Sequence, residues 1–283
     1  MSATPEAWID GRRGAQLSVF DRGLHYGDGL FETIACLNGR PRLLERHLGR
    51  LAAGCARLAL PAPPRALIEA EIATALKDTP RAVLKLIVTR GAAAVRGYAA
   101  APEAGSTRIL LRYPWAAEDA GEAEAGVRVR VAALRLGENP HLAGLKHLNR
   151  LEQVLARREW SDPAIAEALL YSASGALISG TMSNLFLVHG GVLATARLER
   201  CGVAGIMRGV VGGLACECGI DFQERRLTAE DLQHAEEIFL TNALTGIRAV
   251  REVPGRTLGI GPVTHRLQQA LAPLLRGERG APG

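Results

Sequence analysis

Near its middle the chain reads Gly144-Leu-Lys-His-Leu-Asn-Arg-Leu-Glu-Gln-Val-Leu-Ala156, which holds one of only three lysines among 34 Lys and Arg residues. A desolvated lysine can lose its proton and form an imine, whereas an arginine keeps its charge. Lys146 follows a loop and precedes apolar residues at helical spacing, so we expect it near a helix N-terminus, whose positive end disfavours an ammonium. Lys146 is therefore a candidate Schiff-base residue, and the alternative is an incidental lysine.

The other two lysines occupy less reactive surroundings. Lys77 lies at a predicted helix end before Pro80, where a cation suits the helix dipole. Lys85 lies in the strand-like run Val83-Leu-Lys-Leu-Ile-Val-Thr89, and we expect its ammonium to reach a sheet edge. Neither pattern favours a chemical role.

Composition narrows the class of protein. A chain of 283 residues with 48% apolar residues suits two globular domains. The net charge of +5 fits anionic small substrates better than nucleic acid, since no basic run is interleaved with aromatics, although coding bias toward arginine is an alternative. Residues 1–6 predict no signal peptide, and glycines interrupt the uncharged run 168–196, so we expect neither membrane insertion nor export but a cytoplasmic protein. Five cysteines without a CxxC pair predict reduced thiols and no metal site.

Strand and helix patterns alternate along the chain, which predicts an α/β (α+β) fold. Asn38-Gly39 after an apolar run is a strong hairpin signal. The acidic, small-residue segment 119–125 predicts a linker between an N-terminal domain 1–118 and a C-terminal domain 126–283 that carries Lys146. The predicted strands are 7–11, 30–37, 83–89, 108–113, 127–131 and 238–241; the predicted helices are 44–58, 65–77, the segment after Lys146, 206–218 and 263–276, with a hairpin over 168–195.

Three further segments could bind an anion. Cys201-Gly-Val-Ala-Gly-Ile-Met-Arg208 brings two glycines to a helix start, where free amides suit a phosphate, although a plain loop-to-helix junction is the alternative. Arg50 lies beside an apolar helix face and could reach inward or remain solvated. Thr241-Asn-Ala-Leu-Thr-Gly246 follows an apolar strand and offers amides and hydroxyls at the strand's end.

Together with Asp21-Arg-Gly-Leu-His-Tyr-Gly-Asp-Gly-Leu-Phe-Glu-Thr33 and Ser179-Gly-Thr-Met-Ser-Asn-Leu-Phe186, these segments resemble the class IV aminotransferase family, the fold-type IV pyridoxal phosphate (PLP) enzymes. Within that family the chain looks most like the bacterial aminodeoxychorismate lyases. The resemblance implies a two-domain fold with the cofactor in the cleft between domains, and a homodimer.

The resemblance also implies site residues. Lys146 would carry PLP, and Arg50 and the amides of Ile206 and Met207 would hold its phosphate, closed by the turn at Asn242, Ala243 and Leu244. Arg96 would capture a substrate carboxylate, as in related D-amino-acid transaminases. Tyr98 and Phe31 stand where those transaminases use histidine and tyrosine, which argues against their activity. His141 is a candidate for binding the second carboxylate or protonating the leaving group.

Ser179 departs from the family pattern, which has a glutamate beside the pyridine nitrogen. A hydroxyl stabilises a pyridinium less than a carboxylate does, so a transaminase should suffer, whereas a lyase whose product becomes aromatic could tolerate the change.

The resemblance implies a lyase reaction in folate biosynthesis. Lys146 would remove the C4 proton of 4-amino-4-deoxychorismate, and loss of pyruvate would leave 4-aminobenzoate. Functional coupling to an aminodeoxychorismate synthase would follow. The alternatives are a D-amino-acid or branched-chain aminotransferase of the same fold, and a PLP-binding protein without catalysis.

Overall fold

The computed structural model describes residues 4–100, 105–115 and 125–277. The chain divides into two compact units, Met1–Ala116 with Lys146–Asn149, and Ala117–Leu145 with Arg150–Gly283. The segment Lys146–Asn149 thus belongs to the first unit, although the residues before and after it belong to the second. Of the predicted linker 119–125, all but Ala125 lies outside the described residues.

The first unit is built on an antiparallel sheet with strand order β2-β1-β6-β5-β3-β4. Its strands are β1 Glu6–Ile9, β2 Arg12–Arg13, β3 Gly29–Leu37, β4 Arg40–Pro41, β5 Arg81–Thr89 and β6 Thr107–Pro114; its helices are α1 Arg22–Tyr26, α2 Leu44–Arg57 and α3 Arg65–Leu76. Helix α2 packs on β3, and its residues Leu48, Leu51 and Cys55 are buried at helical spacing. The predicted hairpin at Asn38-Gly39 is confirmed as the β3–β4 turn.

The first unit also corrects the prediction for Lys85. Strand β5 pairs with β6 on one side and β3 on the other, so Lys85 is on an interior strand and not at a sheet edge. Alternate residues of β3 and β5 face opposite sides of the sheet. Glu32 is therefore on the buried face, while Phe31 and Lys85 share the half-buried face.

The second unit contains a sheet with strand order β12-β11-β10-β13-β14-β7-β8-β9, and β9 pairs again with β10, so six of its strands close into a ring. Its strands are β7 Val127–Leu136, β8 Ile165–Ser172, β9 Leu177–Gly180, β10 Asn184–His189, β11 Val192–Ala196, β12 Phe222–Arg225, β13 Glu237–Asn242, β14 Gly246–Val253 and β15 Arg256–Thr257; its helices are α4 Leu151–Arg157, α5 Ile206–Glu217, α6 Ala229–His234 and α7 Pro262–Arg276. Parallel pairs join β7 to β8 and to β14. Apolar side chains from around the ring, such as Val129, Leu169, Leu185 and Leu240, form one core cluster.

Two expectations for the second unit were wrong in detail. The predicted hairpin over 168–195 is a run of four strands, β8 to β11. Helix α4 begins at Leu151, five residues after Lys146, because the intervening residues pair with β3 instead. Lys146 therefore lies outside the first turn of α4, and the effect of a helix dipole is concentrated in that turn. Leu151, Val154 and Leu155, which form the apolar face of α4, are at least half exposed.

Mixed helices and sheets confirm the α/β (α+β) class. Within the described residues, no helix is long and apolar enough to cross a membrane. All five cysteines are described and free of disulfides, and burial raises the pKa of the Cys36 thiol to about 12.

Candidate functional site

Lys146 is fixed by backbone pairing with β3. The Phe31 amide donates to the Lys146 carbonyl at 3.0 Å, and the Leu148 amide donates to the Gly29 carbonyl at 3.0 Å. Asn149 adds a bond from Nδ2 to the Gly27 carbonyl at 3.3 Å. These bonds hold the Cα of Lys146 at the start of β3, so its side chain extends from a rigid backbone.

The Phe31 ring brings two lysines together. Lys146 Nζ lies 4.2 Å from the centroid of the ring, and Lys85 Nζ lies 5.2 Å from the same centroid. Thr33 pairs with Lys85 across the β3–β5 ladder and Ile87 pairs with Phe31, so Phe31 and Lys85 are diagonal neighbours on one face. Two of the three lysines of the chain thus lie beside one aromatic ring.

The sequence did not predict that Lys85 lies beside Phe31. The alternation of buried and half-buried residues along β5 was visible in the run 83–89 and gave the face on which Lys85 lies. The pairing of β5 with β3 was not visible, because it joins segments about fifty residues apart. Only that pairing shows that Lys85 and Phe31 share a face.

Arg50 is held by a buried carboxylate. Its Nε donates to Glu32 Oε1 at 2.8 Å and a terminal nitrogen donates to Oε2 at 2.5 Å, a bidentate pair. His47 Nδ1 lies 2.6 Å from Glu32 Oε2, and the side chains of His47 and Glu32 are each 1% exposed. Burial alone would raise the pKa of Glu32, but the hydrogen bonds from His47 and Arg50 outweigh it and lower the pKa below its usual value. The guanidinium is therefore oriented, and not solvated as its surface position on α2 would allow.

The residues Arg96 and Tyr98 lie in an exposed loop of the first unit. Tyr98 is 86% exposed, and its ring centroid lies 5.4 Å from that of Tyr26. Gly97 between them has φ +119°, a conformation that side chains other than glycine rarely adopt. Neither Arg96 nor Tyr98 belongs to a helix or a strand.

In the second unit, the start of α5 has the features of an anion site. Gly205 is the N-cap, and its helix has no side-chain cap, so the first amides, including those of Ile206 and Met207, receive no capping oxygen from that residue. Asn184 Nδ2 donates to the Val203 carbonyl at 2.9 Å and fixes the loop that leads into the helix. A methyl group on Gly205 would overlap the Asn184 side chain, so glycine permits this close approach.

The same loop is bonded to the segment that leads to Lys146. The Gly144 amide donates to the Gly202 carbonyl, and the Ala204 amide donates to the Gly144 carbonyl, both at 3.0 Å. His141 is exposed in this segment, and its amide donates to Asn139 Oδ1 at 3.0 Å. The backbone on either side of Gly144 is thus fixed in both directions.

In the turn that follows β13, backbone amides donate hydrogen bonds to a side chain of the same turn. Asn242 Oδ1 accepts from the Leu244 and Thr245 amides, both at 2.9 Å. Ala243 and Leu244 are half-buried within this turn. Among the described residues, Thr241 Oγ1, directly before the turn, is buried without a hydrogen-bond partner. A buried hydroxyl in this state is an unusual feature that an additional polar group would satisfy.

Ser179 is buried on β9, opposite Asn184 of β10. Its hydroxyl donates to the Gly180 carbonyl at 2.8 Å. Glu167, on the neighbouring β8, accepts from the amide of Thr181 at 2.9 Å and from Ser183 Oγ at 3.0 Å, so its carboxylate is used to hold the turn 181–183. Position 179 thus carries a neutral hydroxyl that is already bonded to backbone.

Comparisons with known proteins agree over nearly the whole chain. The chain is 33% identical to the aminodeoxychorismate lyase of Vibrio harveyi, over 92% of this chain and 97% of the relative. It is also 33% identical to a putative branched-chain-amino-acid aminotransferase of Methanocaldococcus jannaschii, over 91% and 90%. The crystal structure of 4-amino-4-deoxychorismate lyase from Pseudomonas aeruginosa superposes with a TM-score of 0.91 at 46% identity, covering 95% of this chain and 99% of that one.

The family model described as amino-transferase class IV matches residues 29–253, a span that includes Phe31, Arg50, Lys146, Ser179 and the start of α5. Enzymes of this family use PLP, which confirms the expected cofactor and the expected fold type. The chain therefore belongs to the class IV aminotransferase family, the fold-type IV PLP enzymes.

Proposed function

We propose that this enzyme is a PLP-dependent lyase that converts 4-amino-4-deoxychorismate to 4-aminobenzoate and pyruvate. The observation that carries the proposal is the 46% identity, across 95% of the chain, to a structure described as 4-amino-4-deoxychorismate lyase. The half-buried amine of Lys146 beside Phe31 supports it, because the reaction needs a lysine held near the reacting carbon.

The residues present fit a phosphate-bearing cofactor. The uncapped start of α5 offers amides to the phosphate at Ile206 and Met207, and glycine at position 205 allows close approach. The unsatisfied Thr241 hydroxyl, next to the Asn242–Leu244 turn, would gain a partner. We propose that these groups and Arg50, held by Glu32, bind the phosphate of PLP.

Lys146 has two roles in this proposal, namely carrying the cofactor and moving the substrate proton. When bound, PLP withdraws electrons from the substrate carbon that bears the amine. Lys146 then removes the proton at C4, and the enolpyruvyl oxygen leaves from C3 with the bond electrons. Backbone bonds to Phe31 and Gly29 keep the amine within reach of C4 throughout, which is the positional advantage of using one lysine for both roles.

The two carboxylates of the substrate need two basic groups. We propose that Lys85 is one of them, since its ammonium lies beside the same ring as Lys146 and it is held on an interior strand. Arg96 is the second, and His141 remains a candidate for protonating the leaving group.

An aminotransferase is the second candidate function, favoured by the 33% identity to the Methanocaldococcus jannaschii protein. Ser179 argues against it, because its hydroxyl is bonded to the Gly180 carbonyl and offers no negative charge to a pyridinium. Phe31 and Tyr98, in place of the tyrosine and histidine of D-amino-acid transaminases, argue the same way. PLP binding without catalysis is the third reading.

We further propose a cytoplasmic homodimer that is coupled functionally to an aminodeoxychorismate synthase. The exposed apolar face of α4, formed by Leu151, Val154 and Leu155, supports a dimer, since such a face is usually covered. The synthase would supply the aminated substrate, 4-amino-4-deoxychorismate.

The test is a coupled assay with holoenzyme, chorismate, glutamine and an aminodeoxychorismate synthase, with 4-aminobenzoate read by fluorescence. Wild type should form product, and Lys146→Ala should form none. Lys146→Arg, which keeps the charge but not the proton transfer, should be equally inactive. Lys85→Met should raise KM about tenfold, the effect of losing one charge-assisted contact, with a smaller change in kcat.

Two results would contradict the proposal. Product formed at the wild-type rate by Lys146→Ala would remove the lysine from the mechanism. No product from wild type, together with conversion of bound cofactor to its amine form by leucine or alanine, would favour the aminotransferase. Retained cofactor with neither activity would favour the non-catalytic reading.

A further inference from the structure

Arg22 is a buried arginine whose side chain is used entirely within the first unit. It is the first residue of α1 and is 5% exposed. Its guanidinium donates to three successive carbonyls, those of Gly97 at 3.0 Å, Tyr98 at 2.8 Å and Ala99 at 3.4 Å. A buried charge needs partners of this kind, and here one loop supplies three of them.

The guanidinium is itself held in place. Its Nε donates to Asp28 Oδ2 at 2.9 Å, and Arg90 Nε donates to the same oxygen at 2.8 Å. Burial opposes ionisation of Asp28, but the hydrogen bonds from Arg90 and Arg22 lower its pKa below the usual value. The guanidinium also lies 5.0 Å from the centroid of the Tyr26 ring, against which Tyr98 packs. Its position is therefore set by an ion pair on one side and an aromatic ring on another.

The loop that Arg22 holds needs such an anchor. Val95, Arg96 and Tyr98 are exposed, so burial of their side chains contributes little to a fixed conformation. The φ of +119° at Gly97 is one that the flexible glycine can readily leave. Three hydrogen bonds from one planar cation fix the directions of three consecutive peptide groups, and with them the backbone of the adjoining Arg96.

We propose that Arg22 is a positioning residue that holds the 97–99 backbone so that Arg96 is presented to a substrate carboxylate. The inference rests on the proposed function only in giving Arg96 that role. Without the hydrogen bonds from Arg22 the loop is free to move, and the substrate must then order it on binding. The free-energy cost of this ordering raises KM and leaves the rate of the chemical step unchanged.

The experiment compares Arg22→Met and Arg22→Lys with wild type as holoenzymes. Limited trypsin digestion, with mass spectrometry, reads cleavage of the Arg96–Gly97 bond, and the coupled assay reads KM and kcat. The matched control is Arg256→Met, which removes another arginine that donates to two carbonyls, those of Leu232 and Gln233, in the second unit.

For Arg22→Met we expect cleavage after Arg96 to be at least about tenfold faster and KM to rise about tenfold, with kcat within about twofold of wild type. Arg22→Lys should recover part of both losses, since one ammonium can reach one or two of the three carbonyls. Arg256→Met should leave the cleavage rate after Arg96 and KM unchanged. Wild-type cleavage and wild-type KM in a folded Arg22→Met protein would overturn the inference.

Two provisions keep the inference distinct from the proposed function. If wild type shows no lyase activity, the proposed function fails, whereas the cleavage rates still decide whether Arg22 holds the loop. If Arg22→Met does not fold, Arg22→Lys replaces it, because a lysine keeps a cation near Asp28 but cannot reach all three carbonyls. Wild-type KM and a wild-type cleavage rate in Arg22→Lys would overturn the inference in that case.

Discussion

Glu32 illustrates how one buried side chain organises the residues around it. Its carboxylate accepts from His47 and twice from Arg50, so a charge with 1% exposure is stabilised by three donors. Removing one member of such a buried group leaves the others with unsatisfied charge, which costs more than the pair contributes as a whole. The arginine proposed to hold the cofactor phosphate thus depends on a residue on the opposite face of β3 from Phe31.

Glu32→Gln should lower the free energy of unfolding by about 3 kcal/mol at pH 7, the usual cost of breaking a buried ion pair. Because the pKa of Glu32 is lowered in the folded state, its stabilisation is fully present above its ordinary pKa of 4.5 and is lost as the pH falls through the folded-state pKa. Urea unfolding at pH 7 and near pH 3 should therefore show a difference between variant and wild type that shrinks on acidification.

The control for this prediction is Glu69→Gln. Glu69 pairs with Arg65 at 2.8 Å on the surface of α3, with side chains 39% and 50% exposed. Its loss should change the free energy of unfolding by less than about 1 kcal/mol at either pH. If the free energies of unfolding of Glu32→Gln and wild type differed by the same amount at both pH values, the predicted dependence on the pKa of Glu32 would be contradicted.

At this scale the sequence was informative where one residue type was scarce. Lys146 stood out because the chain has so few lysines, and that argument needed no structure. The same argument applied to Lys85, but its surroundings looked ordinary, and its proximity to Phe31 depends on strand pairing that no local pattern records. No role was predicted for Glu32 either, because its hydrogen-bond partners lie on α2, and no local pattern shows that contact.

At the scale of an element, α5 shows that a helix start can be read from sequence more reliably than its surroundings. Two glycines before an apolar run predicted the helix 206–218, and the helix spans Ile206–Glu217. Asn184 was quoted within a motif but given no role. Its contact with Val203 connects β10 to the loop before α5, a pairing about twenty residues apart that spacing alone does not reveal.

Gly205→Ala should weaken PLP binding at least about tenfold, because the methyl group displaces Asn184 and moves the loop before the amides that we propose bind the phosphate. Titration of the apoprotein with PLP, followed by cofactor absorbance, measures the change. Gly259→Ala is the control, since a methyl group there meets no atom within 4 Å. Equal PLP affinity in Gly205→Ala and wild type would show that the start of α5 does not hold the phosphate.

Helix α4 shows the opposite case. The apolar spacing indicated a helix after Lys146, and one is present, but the start was misplaced and its apolar residues are exposed. Residues 146–149 pair with β3 before the helix can begin, and this long-range pairing overrides local helix propensity. Periodicity identifies an apolar face without saying whether the same chain covers it.

For the whole molecule, the strand and helix patterns were sufficient for the α/β class, since most elements fell within a few residues of their predicted bounds. The order of strands in each sheet could not be predicted from the sequence, because it depends on which distant segments pair. The closed ring in the second unit, where β9 returns to β10, is a feature of that kind.

The proposed homodimer gives a prediction for the intact protein. Wild type should sediment at about twice the chain mass of 30.1 kDa. Val154→Glu and Leu155→Glu, which place charges on the exposed apolar face of α4, should shift the mass toward a single chain, because a buried unpaired charge opposes association. Leu67→Glu, at a less exposed apolar position on α3, should remain dimeric. A single-chain mass for wild type would refute the proposal.

The scarcity of lysine has a practical consequence for following the enzyme in solution. An amine-selective acylating reagent can modify the side chains of only Lys77, Lys85 and Lys146. Two of these amines flank Phe31, while Lys77 ends α3 and serves as an internal reference in the same digest. Because the bond that we propose between Lys146 and PLP would block this amine, the ratio of acylation at Lys146 to acylation at Lys77 should fall as the fraction of protein that carries cofactor rises, without reference to turnover.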